Sequence, residues 1–146
     1  MRRDMSVYNA MSIDCLTTNP SKLGPKETMD HLEAEVRPMG MRVFARIDHT
    51  AGAAAAGLSL RPTEVLIFGN AKAGTPVMQS VQTIGIDLPL KALVWQDASG
   101  VTWLSYNDPS WLAKRHGREV DEAVNAMTAA LAAVAKAATV SGSGSA

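Results

Sequence analysis

Leu60-Arg61-Pro62-Thr63-Glu64-Val65-Leu66-Ile67-Phe68-Gly69-Asn70 is the stretch on which the fold turns. Val65 to Phe68 form an unbroken apolar run bounded by Pro62 and Gly69. A short run of β-branched and aromatic residues between two breakers reads as a strand covered on both faces, which makes Thr63–Gly69 the expected central strand of a sheet. Toward the C-terminus, Asn70 to Gly74 reads as a loop. Thr75 followed by Pro76 then gives a cap and first-turn signal for a helix through about Gln82. Leu88 to Asp97 and Val101 to Asn107 are two further strands, and the Asp97-Ala98-Ser99-Gly100 turn between them predicts an antiparallel hairpin. Asp108-Pro109 repeats the cap-plus-proline device for a short helix through Arg115, stopped by Gly117.

Toward the N-terminus, Met41 to Asp48 alternates, with Val43, Ala45 and Ile47 on one face and Arg42, Phe44 and Arg46 on the other. An Ala-rich segment from His49 to Leu58 favours a short helix that Gly57 ends. Met29, Leu32, Val36 and Met39 recur at helical steps after Pro25, predicting a helix that closes near Pro38-Met39-Gly40. Met11, Ile13 and Cys15 suggest a short first strand that runs into the breaker Thr17-Thr18-Asn19-Pro20-Ser21. From Arg118 to Thr139 the chain carries its clearest helical pattern, with Val120, Val124, Met127, Leu131 and Val134 in a heptad-like seam. That seam covers only about two heptads, so it must pack on the sheet or on a partner subunit. The order of elements predicts an α+β domain: a two-layer sandwich with helices packed on a mixed sheet of about five strands that ends in a C-terminal hairpin.

The chain has 146 residues, 14 basic and 14 acidic side chains and 47% hydrophobic residues. That balance fits one globular domain, taken as residues 1–140 with a flexible Ser/Gly tail at 141–146, and argues against a basic nucleic-acid binder. The longest strongly apolar stretch, Thr50 to Leu60, is far below the roughly 20 residues that a membrane-spanning helix needs. With no apolar run behind Arg2-Arg3, a secretory signal is not supported, and a cytoplasmic location is expected. The single cysteine, Cys15, permits no intrachain disulfide and no multi-thiolate zinc site. No cofactor and no metal are expected.

Several linked motifs carry a resemblance over about half the chain: Ile47-Asp48-His49, the quoted stretch from Leu60 to Asn70, Gly74-Thr75-Pro76, Gly85-Ile86-Asp87-Leu88-Pro89-Leu90-Lys91, Leu93-Val94-Trp95, and Trp103 to Tyr106. Together they resemble the domain-of-unknown-function 302 family. The resemblance implies a compact α+β domain, often a homodimer, mainly from bacteria and archaea, with no established catalytic residues. The chain departs from the family form at Ala71, where proline is common, and at Gln96, where an acidic residue is usual.

The candidate polar residues fall at strand ends: Asp48, His49, Asn70, Thr75, Lys91 and Tyr106, with Lys72, Asp87 and Asn107 beside them. An Asp next to a His suits acid/base work, because a carboxylate can orient an imidazole. Neighbours on a strand point to opposite faces, however, and either residue could instead cap the following helix. Gly69 to Thr75 stands between strand and helix like a phosphate loop, but Lys72 precedes the second glycine, so it fails the Walker pattern. His31 and His116 have no partner at zinc-ligand spacing. Trp95, Trp103 and Trp111 are expected to pack the hairpin and the helix after it. Lys91 stands unusually among apolar residues: held near Asp87 it would form a structural pair, and a nucleophilic role would require a depressed pKa.

Three functions follow. The first is a homodimeric, non-enzymatic domain that binds a small ligand or a partner near Asp48, His49, Asn70 and Lys91. The second is an enzyme that uses His49 as acid/base, supported by Asp48 or Lys91, on a small anionic or carbonyl substrate. The third is a structural subunit that associates through the Val120 to Val134 seam.

Overall fold

The computed structural model describes residues 15–140. Five strands, β1 (Leu16–Ser21), β2 (Arg42–Asp48), β3 (Thr63–Gly69), β4 (Leu90–Gln96) and β5 (Thr102–Asn107), form one sheet in the order β1-β5-β4-β3-β2. The helices are α1 (Pro25–Val36), α2 (His49–Ala55), α3 (Ala71–Ser80), α4 (Pro109–Arg115) and α5 (Glu122–Thr139), with 3₁₀ turns at Arg37–Met39 and Gln82–Asp87. The α+β reading, the five strands and the β4–β5 hairpin hold. All four strand pairings are antiparallel, so the sheet is not mixed.

Several local expectations are corrected. The breaker Thr17–Ser21 is itself most of β1, and Pro20 is accommodated because β1 is an edge strand. Met11 and Ile13, like the Ser/Gly tail, lie outside the described residues. β4, not β3, is the middle strand. The apolar run of β3 suggested cover on both faces, yet Leu66 and Phe68 are buried under helices while Val65 and Ile67 point to a half-covered face. The segment Asn70 to Gly74 is not a loop, because Asn70 caps α3 and its first turn runs through Ala71 to Gly74. Helix α5 starts at Glu122 rather than Arg118, since the Asp121 carboxylate accepts the Val124 N–H at 3.1 Å and fixes the cap there.

The core lies between one sheet face and two helices. Leu66, Phe68, Leu90, Ala92, Val94, Leu104 and Tyr106 meet Met29, Leu32 and Val36 of α1 and Leu131, Val134, Ala135 and Ala138 of α5. Three members of the heptad-like seam, Val124, Leu131 and Val134, are thereby buried inside the chain, while Val120 precedes the helix and Met127 is only partly buried. Only helix-spaced rows facing the sheet are buried, as an amphipathic helix requires.

Strand β2 carries a bulge between Val43 and Ala45, which leaves Phe44 without a register partner. One extra residue reverses the alternation beyond it. Val43 packs on the core, whereas Arg46 and Asp48 share the helix side with Leu66 and Glu64, and Ile47 turns to the opposite face at 41% exposure. The expectation that Val43, Ala45 and Ile47 share one face therefore fails at the bulge. Arg46 is held there by Glu64 at 2.6 Å, Asp30 at 2.9 Å and Glu33 at 3.0 Å.

Candidate functional site

The best-formed site grows from Asn70, at the end of β3. Its Oδ1 accepts the Lys72 N–H at 2.7 Å, starting α3, and its Nδ2 donates to the Gly40 carbonyl at 3.1 Å. Gly40 has φ +82°, a left-handed turn that glycine adopts without strain, and it closes the chain between α1 and β2. Asn70 thus joins the ends of β2 and β3 and aims α3 across them.

Helix α3 does not close down on the sheet. Val77 is its only buried residue, and Pro76 in its middle supplies no N–H to the Lys72 carbonyl. Under it lies a recess of about 520 Å³, bounded by α3, the ends of β2 and β3, the Leu88-Pro89 segment and α5. Met39, Met41, Met78 and Met127 contribute to its wall, together with Phe44 and Leu88. On α5, Ala123, Ala126, Met127 and Ala130 face the recess at helical spacing while Val124 and Leu131 face the core. Small alanines leave the space open, and unbranched thioethers give it a wall that can adjust to shape. Asn70, Lys72 and Thr75 are the polar members of the lining.

The sequence candidates separate into four places. Asn70 and Thr75 come together at the recess. Asp48 lies at the opposite end of β2, where its Oδ1 accepts the Ala51 N–H at 2.9 Å, so it caps α2 instead of orienting His49. His49 is the exposed first residue of α2. Lys91 pairs with Ile67 on the half-covered face of the sheet. Tyr106 is 6% exposed within the core; burial raises its phenol pKa, partly offset by its hydrogen bond with the Thr17 side chain. His49, Lys91 and Tyr106 therefore share no pocket. Asp87 is turned not to Lys91 but to Arg115 at 3.0 Å and His116 at 2.6 Å.

The tryptophans pack as expected. Trp95 and Trp103 stack across the hairpin with centroids 6.1 Å apart, their N–H groups donating to Ser105 and Asp97 at 2.9 Å each. Trp111 lies under the Arg115 guanidinium at 5.7 Å. Among the described residues, no three His, Cys, Asp or Glu side chains are grouped to hold a metal ion. No described helix is long and apolar enough to cross a membrane.

Sequence reasoning missed the methionine wall. The signal was present in the eight methionines of the chain. Met39 and Met41 flank a turn, however, and Met78 and Met127 are distant in sequence, so only the fold brings them together.

The family profile described as domain of unknown function DUF302 matches residues 17–134. The crystal structure of an uncharacterized conserved DUF302 protein from Bacillus stearothermophilus has the same fold, with a TM-score of 0.70 over 87% of this chain and 97% of that one at 23% identity. A protein of Brucella suis biovar 1 (strain 1330) named fluoride-specific ion channel FluC 1 is 50% identical over 123 residues, covering 83% of this chain and 48% of that protein. A protein of the same name from Brucella abortus biovar 1 (strain 9-941) matches equally over 83% of this chain and 46% of its own length. The chain spans about half the length of the curated relatives it matches.

Proposed function

From the premise that this chain belongs to the DUF302 family, whose domain is of unknown function, we propose that it is a homodimeric binding module whose recess under α3 holds a small, largely apolar molecule without reacting with it. The observation that carries this reading is the recess of about 520 Å³, walled by thioethers, with its few polar groups on α3 and its cap. Ligand sites have this composition: an apolar cleft of several hundred cubic ångströms with a few placed polar groups. The polar members favour a ligand with an acidic or hydrogen-bonding end: Lys72 supplies a cation, and Thr75 and Asn70 supply uncharged polar groups.

The half-covered sheet face supports the dimer. Val65, Ile67, Leu93 and Trp95 point to it, with Ile47 41% exposed, and a chain of zero formal net charge does not repel its own copy.

The reading is tested with two fluorescent probes of similar aromatic size, anionic 1-anilinonaphthalene-8-sulfonate and neutral N-phenyl-1-naphthylamine. Each is expected to bind one per chain. Ala126→Phe, at an exposed α5 position facing the recess, should weaken both by about tenfold or more, and Lys72→Ala should weaken only the anionic probe. Binding that survives Ala126→Phe would place the probe elsewhere and overturn the site.

A second reading comes from the Brucella relatives, which carry the matched region as half of proteins named for fluoride channels. In that reading the domain is a module that acts beside a channel, with the recess as its sensor. Because the recess is apolar, millimolar fluoride is expected to leave the melting temperature unchanged. A fluoride-dependent rise would make fluoride itself the ligand and displace the apolar-ligand reading.

A further inference from the structure

A second cluster lies outside the recess, where the 3₁₀ turn Gln82–Asp87 meets the end of α4. Thr83 and Asp87, four residues apart on that turn, clasp the ring of His116 between them. Thr83 Oγ1 is 2.9 Å from His116 Nδ1, and His116 Nε2 is 2.6 Å from Asp87 Oδ2. Arg115 Nη1 donates to both Asp87 oxygens, at 3.0 and 3.1 Å.

The directions of these bonds follow from the partners. A carboxylate held by a guanidinium accepts only, so the neutral ring must carry its proton on Nε2 and present a bare Nδ1. Among the described residues the Thr83 hydroxyl faces Nδ1, and to the neutral ring it donates. A hydroxyl aimed at an imidazole base, with a carboxylate fixing the ring from its far side, is the constellation that activates an oxygen nucleophile. The exposures fit that role: the His116 and Asp87 side chains are only 9% and 13% exposed, whereas Thr83 is exposed. The base is shielded and the nucleophile is open to solvent. Ile86, 75% exposed on the same turn, offers an apolar contact for a small acyl group.

We propose that Thr83, His116 and Asp87 form an acyl-transfer relay that accepts the acyl group of small activated esters. The Thr83 oxygen attacks the ester carbonyl and forms a new C–O bond, while its proton passes to His116 Nδ1. Collapse of the tetrahedral adduct breaks the bond to the leaving alkoxide or phenolate, which carries away that proton. Water, deprotonated by His116 Nδ1, then attacks the acyl carbonyl; the bond to the Thr83 oxygen breaks, the carboxylic acid leaves, and the ring returns its proton to Thr83. Thr83 and His116 are the catalytic residues. Asp87 and Arg115 are positioning residues that hold the ring and its tautomer.

The experiment uses p-nitrophenyl acetate. The full chain should release a burst of p-nitrophenolate approaching one equivalent and carry one acetyl group on the peptide containing Thr83. Thr83→Ser should keep the burst. Thr83→Ala, which removes only an exposed side chain, should abolish both burst and label while the melting temperature stays within a few degrees. His116→Asn should slow acylation by about a hundredfold or more. Asp87→Asn should lower the acylation rate at saturating ester without changing half-saturation or the residue labelled, a pattern that a purely structural bond would not produce. No burst above the rate of free imidazole, or a label on His116 or a lysine that persists in Thr83→Ala, overturns the proposal. Because Thr83 and His116 take no part in the recess wall, failure here leaves the apolar-ligand reading untouched.

Discussion

Arg46 shows how one residue can be placed by a backbone irregularity. The Phe44 bulge turns it to the helix side of the sheet, where Glu64, Asp30 and Glu33 surround it. Hydrogen bonds from Arg37 and Arg46 hold Glu33 below its ordinary 4.5. For Asp30 burial pushes upward from 3.8, but Arg46 and Lys26 outweigh it and the net shift is downward. Asp97 behaves in the same way: burial pushes its pKa upward, but the hydrogen bonds from the Trp103 indole and the Val101 and Ser99 N–H groups outweigh it and the net shift is downward. A carboxylate whose folded pKa is depressed contributes stability that is complete above its unfolded value and lost as pH falls through the folded one. Unfolding free energy should therefore be level above about pH 5 and decline below about 4.5. Arg46→Leu is expected to cost about 1–3 kcal/mol at neutral pH and to make the acid decline shallower. Urea titrations across pH check both, and an unchanged acid slope in Arg46→Leu would contradict this account of the network.

At the scale of elements, α5 divides its faces between two tasks. Val124, Leu131 and Val134 fill the core, while Ala123, Ala126 and Ala130 leave the recess open. Leu131→Ala should destabilise the fold by about 2–4 kcal/mol through lost burial and a residual cavity. Because its contacts are intramolecular, the loss should not depend on protein concentration; a concentration-dependent midpoint would mean that the seam is shared between copies. Much of this was legible beforehand. The 3–4 spacing of α5, the Asp97–Gly100 turn and the Asp108-Pro109 cap are local signals, and each produced the element expected. The failures were competitions that local pattern does not decide. Asn70 outcompetes Thr75 as the cap of α3, Pro20 is tolerated because tertiary pairing makes β1 an edge, and the bulge in β2 inverts a strand whose alternation read as regular. Of the recess, only the polar residues Asn70, Lys72 and Thr75 were legible, since strand-end polar residues can be listed from sequence but not assigned to one end or face of a sheet. His116 and Thr83 are far apart in the chain and give no spacing signal at all.

For the whole molecule, the helices cover one face of the sheet and leave the other only half-covered. A second copy on that open face would remove Ile47, Ile67 and Trp95 from water together. Light scattering at micromolar concentration should give a dimer mass, and Ile67→Glu should return the monomer without unfolding it. A monomer at all working concentrations would contradict the dimer while leaving the recess intact, because the two lie on different sides of the sheet.

The most direct test of the central claim, that the recess holds a small apolar molecule, is native mass spectrometry of protein purified from its source without denaturant. The wild-type protein should carry a bound small molecule that is released on denaturation and is missing from the folded Ala126→Phe variant. A bare chain mass in both proteins, with neither naphthalene probe binding to the wild type, would contradict it.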